Sequence, residues 1–308
     1  MQTPFRIHDL ILIVVVVLTM AVAVIFPDFG SRFQAFPVYC LMVNFFLSYL
    51  SIDPADVWKA FRDHIREILG FTVLKLALLP VVLYGVFYLV APDYALAALL
   101  LTGVSTGVVS PMISNMVKGN SSLVLLVVVI TSALAPFTLP ALVKIVIAKE
   151  AAISFWAMLR LLATVIFVPI ALVEIIRCLT PRLIAPILKI QFPVSLLMFA
   201  LINLGVFYRY APFFQEKPSV IIMATVVVFV LAAIYCAVGI FFFRKGPLHN
   251  HLAGAVMLGN INNVLVIVFS SQFFGPVEPL VAAMYMIPFF VIVIPLRYYR
   301  YRKIRHRS

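Results

Sequence analysis

Long apolar runs are the feature that most constrains what this sequence can fold into. Runs of about 20 residues with few charges recur along the 308 residues, and only 11% of all residues are charged. A soluble domain carries roughly 25% charged residues. Backbone amides in lipid must be satisfied within helices or closed barrels, and these runs are longer than barrel strands and do not alternate. The sequence therefore predicts an all-α polytopic membrane protein.

Charged residues and Pro/Gly breaks divide the chain into about ten predicted transmembrane helices. The predicted spans are 10–26, 34–52, 67–90, 94–117, 121–148, 153–177, 190–210, 219–243, 251–274 and 279–297. Asp53 is predicted to cap a short amphipathic stretch before the third span, with Trp58 at the membrane interface. The whole chain, 1–308, is expected to form one membrane domain.

The distribution of basic residues predicts the orientation. The net charge is +12, and of the 23 Lys and Arg residues, 16 fall on the side of the two termini and five on the other side. Cytoplasmic loops carry the surplus of Lys and Arg, so both termini are expected in the cytoplasm, in an inner or plasma membrane. The charge therefore indicates topology and not nucleic acid binding. The basic tail 298–308 is placed to contact anionic lipid head groups.

Two predicted spans carry small and polar residues at membrane depth. In the fourth span these are Ser105, Thr106, Gly107, Ser110 and Pro111, followed by Ser114 and Asn115, and in the ninth they are Gly259, Asn260, Asn262 and Asn263. Such clusters are found in kinked packing helices and also in broken helices that line a binding site. About ten spans divide into two inverted halves of about five, and the clusters occupy matching places in them. This match favours two broken helices crossing at a site.

Few ionisable residues lie inside the predicted spans. Lys75 stands in the middle of the third span, and Glu174 near the end of the sixth is expected to pair with Arg177. No Asp or Glu lies in the middle of any span, and the three cysteines are scattered. These patterns provide no metal site, cofactor motif or intramembrane protease centre. We therefore expect a protein that is not an enzyme and that has no cofactor.

The fifth span resembles the fifth-helix signature of the bile acid:sodium symporter family. Its motifs are Gly119-Asn120-Ser121-Ser122-Leu123 at the start and Thr131-Ser132-Ala133-Leu134-Ala135-Pro136 followed by Pro140. The resemblance implies transport of a small organic anion, mostly with sodium, by alternating access. It also implies a panel of helices at 10–52 and 153–210, and a core of helices at 67–148 and 219–297, which move relative to each other.

The departures from that family concern its sodium ligands. Aligned without gaps from Gly119, the family's Pro-Gly-Gly-x-x-Ser-Asn falls on residues 105–111, so Ser110 is kept and the sodium-binding Asn becomes Pro111. The family's two fifth-span hydroxyls fall on Val124 and Val128, its ninth-span Glu on Met257 or Leu258, and its third-span Gln on Lys75. An ammonium can take the electrostatic role of a bound cation. We therefore predict sodium-independent transport, with Lys75 as a fixed or titrating charge in the site.

Two other interpretations remain open at this level. A four-residue shift would restore Ser114 and Asn115, with Asn262, as sodium ligands of a sodium-coupled anion symporter. A protein that kept the fold but lost transport would act as a membrane scaffold or sensor. Arsenite carriers are disfavoured because none of the three cysteines lies in the fourth span. The solute, the direction of transport and the oligomeric state do not follow from the sequence.

Overall fold

A computed structural model describes residues 7–146 and 154–305. Within these ranges every regular element is a helix, apart from one isolated β-bridge. In the described part of the chain, six helical segments are long and apolar enough to cross a membrane, and shorter apolar helices accompany them. The six segments are Glu67–Val90, Ser121–Val146, Phe155–Leu179, Gln191–Glu216, Ser219–Phe242 and Val277–Arg305. The prediction of an all-helical, multi-pass membrane protein is therefore confirmed.

Residues 7–146 form eight α-helices. They are α1 (Ile7–Ile25), α2 (Pro27–Ser31), α3 (Pro37–Leu50), α4 (Pro54–Val73), α5 (Leu79–Val90), α6 (Ala95–Gly103), α7 (Ser110–Val117) and α8 (Ser121–Val146). A π-helical turn, Leu74–Leu78, joins α4 to α5 without a break, and a 3-10 turn, Pro92–Tyr94, precedes α6.

Residues 154–305 form ten more α-helices. They are α9 (Phe155–Leu179), α10 (Ile184–Lys189), α11 (Gln191–Phe207), α12 (Ala211–Glu216), α13 (Ser219–Phe242), α14 (Leu248–Gly259), α15 (Asn263–Phe273), α16 (Val277–Met284), α17 (Met286–Val291) and α18 (Val293–Arg305). The 3-10 turns Pro181–Leu183 and Tyr208–Tyr210 precede α10 and α12. As predicted, Glu174 and Arg177 form an ion pair, with 2.7 Å between the carboxylate and the guanidinium.

The start of α4 follows the predicted capping, but its extent differs from the prediction. The Asp53 carboxylate accepts a hydrogen bond of 2.8 Å from the backbone N–H of Ala55, as an N-cap should. The amphipathic stretch and the third span are not separate elements, because α4 continues through the π turn into α5. The sequence from 54 to 79 holds no proline after the first helical position, so nothing in it ends the helix before the membrane.

Glycines bring α13 and α14 into backbone contact. A Cβ atom on Gly239 would lie 2.2 Å from the carbonyl oxygen of Gly254, and a Cβ on Gly254 would lie 2.2 Å from that of Gly239. No residue larger than glycine fits at either position without separating the helices. Small residues of this kind let membrane helices pack closely, where dispersion contacts replace the hydrophobic effect. The contact fixes α14, which enters the candidate site, against a full-length helix.

Candidate functional site

Two of the helices predicted to span the membrane are interrupted where the polar clusters lie. The fourth predicted span is divided into α6, which ends at Gly103, and α7, which begins at Ser110. The ninth is divided into α14 and α15 between Gly259 and Asn263. Pro111 falls in the first turn of α7, where its missing N–H costs nothing because that N–H would have no helical partner. The proline therefore starts a half-helix and does not kink a continuous one.

The two unwound segments pair with each other, and we call this pairing the crossing. Thr106 and Ile261 form an antiparallel bridge. The N–H of Gly107 donates to the carbonyl of Asn260 at 2.7 Å, and the N–H of Asn262 donates to the carbonyl of Ser105 at 2.9 Å. Backbone groups freed from a helix in a membrane need partners, and the crossing supplies them mutually. Segments about 150 residues apart in sequence are thus locked together.

Side chains of the polar clusters hold the crossing from both sides. The hydroxyl of Thr106 donates to the carbonyl of Met257 at 2.8 Å, and that of Ser110 donates to the carbonyl of Asn260 at 2.9 Å. The N–H of Thr106 donates to the hydroxyl of Thr131 on α8 at 3.1 Å. These residues are buried, so most of the predicted polar residues act as internal partners for backbone at membrane depth.

The second segment is also tied to the helices that follow it. The amide of Asn260 donates to the carbonyl of Phe289 at 2.8 Å, and the hydroxyl of Tyr285 donates to the carbonyl of Gly259 at 2.8 Å. Asn262 caps α15 by accepting from the N–H of Leu265 at 3.3 Å. The half-helices α7 and α15 both begin at the crossing, so the positive ends of their dipoles lie there.

A cavity of about 450 Å³ lies beside the crossing. One side is formed by Gly107, Asn262 and Asn263, and the other by residues of α3 and of the α10–α11 region. Its polar lining also includes Asn44, Ser48, Lys189, Gln191 and Ser195, and its aromatic lining includes Phe45, Phe192, Phe199, Phe289 and Phe290. Among the described residues that line it, Lys189 is the one with a charge. The size and the apolar walls with few polar groups are typical of a small-molecule site.

Asn44 is one of the polar cavity residues that sequence reasoning missed, and the others are Ser48, Lys189, Gln191 and Ser195. The side chain of Asn44 is 8% exposed, and neither its amide nitrogen nor its amide oxygen has a hydrogen-bond partner within the described part of the chain. Leaving a buried amide unpaired costs about 1–3 kcal/mol, so such a group usually has a role. The only signal in the sequence was a lone amide inside the apolar run of the second span.

Lys75 is fully buried in the π turn between α4 and α5. Its ammonium nitrogen has no hydrogen-bond partner among residues 7–146 and 154–305. The turn packs against α6 and α8, so Lys75 lies in the group of helices that contains the crossing, but it does not line the cavity. Single π turns inserted in α-helices are rare and often mark functional positions.

The remaining predicted site residues lie at the far end of α7. Asn115 accepts a hydrogen bond from Ser121 at the turn into α8. Ser114 is buried beside Gly119, and its hydroxyl has no partner in the described residues. Neither residue lines the cavity or takes part in the crossing hydrogen bonds. The predicted residues therefore divide into the crossing, the isolated Lys75 and this turn.

One family matches two thirds of the chain. The Sodium Bile acid symporter family matches residues 37–238. The chain belongs to this family. The match includes α3, both half-helices α6 and α7, and all of α8, which carries the motifs that indicated the family. It ends inside α13, so α14 and α15 lie beyond it. A comparison with curated proteins found no match.

Membership fixes the general class of the protein. The family is a transporter family, and its description names bile acid and sodium as what it carries together. The chain is therefore a multi-pass membrane protein of a bile acid and organic anion transporter family.

Proposed function

We propose that this protein carries a small organic anion across the bilayer by alternating access and without sodium. The observation that supports this most is the cavity beside the crossing, where one lysine and the starts of two half-helices border a space lined by phenylalanines and by uncharged polar and aliphatic side chains. An anionic group would bind Lys189 and the positive helix ends, and an apolar body would pack on the phenylalanines.

The movement would take place between two groups of helices. Helix α11 packs on α1 and α3, and α3 packs on α9. In this proposal these four helices are the panel, and the helices around the crossing are the core. The cavity lies between them, because α3 and α11 supply one side and the crossing supplies the other. In this proposal ten spans form two inverted halves with both termini in the cytoplasm, as the basic residues indicate. Rocking of the core against the panel would expose the cavity alternately to the two sides.

Sodium independence rests on the side chains at the positions of the family's ligands. Val124, Val128, Met257 and Leu258 are all buried, and their side chains offer no oxygen to a cation. Hard cations bind oxygen ligands, so these positions have lost that capacity. Lys75 supplies a permanent or titrating positive charge to the same group of helices. This charge would take the electrostatic role that a bound sodium ion has in the family.

The first experiment measures uptake into liposomes that contain the purified protein. A mixed pool of small organic anions is supplied outside, and mass spectrometry identifies those that accumulate inside. Sodium and proton gradients are imposed separately, and choline replaces sodium in the control. We expect one or more anions to enter at a rate that sodium does not change. Uptake that occurs only with sodium would show that the proposed uncoupling is wrong.

One observation favours a sodium-coupled alternative. The hydroxyl of Ser105 and the amide oxygen of Asn260 are buried at the crossing without hydrogen-bond partners in the described ranges. These oxygens are suited to a cation, and the same uptake experiment would reveal it. If no anion enters under any gradient although the protein binds one, the scaffold or sensor interpretation is favoured instead.

Replacing Asn44 with leucine tests whether the cavity holds the substrate. Leucine has a similar size but cannot form hydrogen bonds, so we expect the KM for the transported anion to rise about tenfold, the equivalent of 1.4 kcal/mol. We also expect equal or higher heat stability, since an unpaired buried amide is removed. Uptake kinetics and thermal unfolding of the same preparation measure both.

Asn203→Leu is the matched control for that variant. Asn203 is also buried, but its amide donates to the hydroxyl of Thr19 at 3.2 Å and it does not line the cavity. Its loss should lower stability and leave the KM unchanged. An equal rise in KM for both variants would mean that the effect of Asn44 is not local.

A further inference from the structure

A second cavity of about 460 Å³ lies between the π turn and the end of α13. We call it the basic groove. Leu74, Val238, Phe241 and Phe242 form its apolar part, and Arg244 and Lys245 stand at its end. It shares no residue with the cavity beside the crossing.

Phe242, which lines this groove, belongs to a cluster of aromatic rings. The ring of Phe71 on α4 lies 5.3 Å from that of Phe242 and 5.5 Å from that of Phe243. Phe241 remains 60% exposed, and the guanidinium of Arg244 lies 4.1 Å from its ring centroid. The apolar part is thus open to lipid, while the two cations stay close to it and exposed.

The chemistry of the groove fits one class of ligand. None of the six described residues that line it is acidic, and its two charges are both positive. Basic residues above an apolar groove at the end of a membrane helix bind the phosphate of an anionic phospholipid, whose acyl chains cover the apolar part. A free phosphate would use only the two cations and leave the exposed phenylalanines uncovered. The apolar part therefore favours the lipid.

We propose that the basic groove binds an anionic phospholipid such as phosphatidylglycerol. The acyl chains would pack on Leu74, which is the first residue of the π turn and the neighbour of Lys75. The head group would bind Arg244 and Lys245, in the segment between α13 and the crossing half-helix α14. A bound lipid would thus contact both the turn that carries the buried lysine and the connection into the crossing. This proposal does not depend on the transported solute.

Native mass spectrometry of the purified full-length protein tests this proposal. Phosphatidylglycerol and phosphatidylcholine with identical acyl chains are added in separate series, and inorganic phosphate in a third. We expect a resolved phosphatidylglycerol adduct at concentrations where phosphatidylcholine gives about fivefold less, because only the former carries net negative charge. Equal binding of both lipids would overturn the proposal. So would a phosphate adduct as abundant as the phosphatidylglycerol adduct, because the apolar part of the groove would then add nothing.

The double variant R244Q/K245Q removes both cations of the groove and should lose the adduct. K59Q/R62Q is its matched control, because Lys59 and Arg62 are also exposed cations and Arg62 likewise lies over an aromatic ring, that of Trp58. It lowers the net charge equally but leaves the groove intact, so the adduct should remain. Phe241→Ser should weaken the adduct while both cations are retained. If the two double variants lose lipid equally, binding reflects overall charge and the groove is not the site.

Discussion

Lys75→Met should yield a protein that is more heat-stable than the native one and that has lost at least about 90% of its anion uptake. The ammonium of Lys75 is fully buried and, within the described residues, unpaired. Burying a charge or an unsatisfied polar group is costly, and methionine fills a comparable volume without that cost. The lost uptake would follow from the loss of the positive charge that replaces the ion. Thermal unfolding in detergent and uptake in liposomes measure the two effects.

A rise in heat stability together with a loss of uptake would distinguish a functional role of Lys75 from a structural one. A lysine with a purely structural role would, when removed, lower stability and uptake together. A lysine that only extends towards a membrane surface would change neither. Lys144→Met is the matched control, since Lys144 lies exposed in the last turn of α8. It should leave both measurements unchanged. A Lys75→Met protein that still transports at the native rate would show that the charge is not needed.

Lys75→Gln tests whether sodium can replace the charge of Lys75. The resemblance to the symporter family places a sodium-ligating glutamine at this position. The variant therefore returns a side-chain oxygen to position 75 and removes the charge that competes with a cation. Any uptake that remains should respond to sodium, whereas that of the native protein should not. Uptake that is lost entirely and is not restored by sodium would show that the other ligand positions no longer bind the ion.

The helices could be predicted because their causes are local. Apolar runs of sufficient length indicate membrane helices, and the predicted cap Asp53 marks where one helix starts. The interruptions at 104–109 and 260–262 were also visible, because small and polar residues inside an apolar helix weaken it. Each of these inferences uses only residues within one or two helical turns.

The parts that could not be predicted depend on distant contacts. The amino-acid sequence does not show that the N–H of Gly107 bonds to the carbonyl of Asn260 and not to that of another unwound residue. Ser114 has the same hydroxyl chemistry as Ser105 and Ser110, and its exclusion from the crossing depends on where the helix is interrupted. The π turn at Lys75 has no sequence signature. Asn44 can be identified as a binding residue only once other helices form the cavity that it lines.

Gly107→Val should abolish uptake and lower stability, because the crossing leaves no room for a side chain. A Cβ atom on Gly107 would lie 3.0 Å from the carbonyl oxygen of Ile261 and 3.3 Å from that of Asn260. These are backbone atoms, and the latter accepts the 2.7 Å hydrogen bond from Gly107 itself. They cannot retreat without breaking the bridge. Valine adds two methyl groups to this contact, so a cost of about 1–3 kcal/mol or more is expected.

Gly85→Val is the control for that change, because a Cβ on Gly85 in α5 would meet nothing within 4 Å in the described structure. It should fold and transport normally, so an effect confined to Gly107 would locate the damage at the crossing. Gly107→Ala adds only the Cβ and should give partial uptake with a smaller loss of stability. Such a graded series is expected if the spacing of the two unwound segments sets the transport rate. Native uptake by Gly107→Val would mean instead that the segments separate during transport, and that the crossing is not the fixed centre of the site.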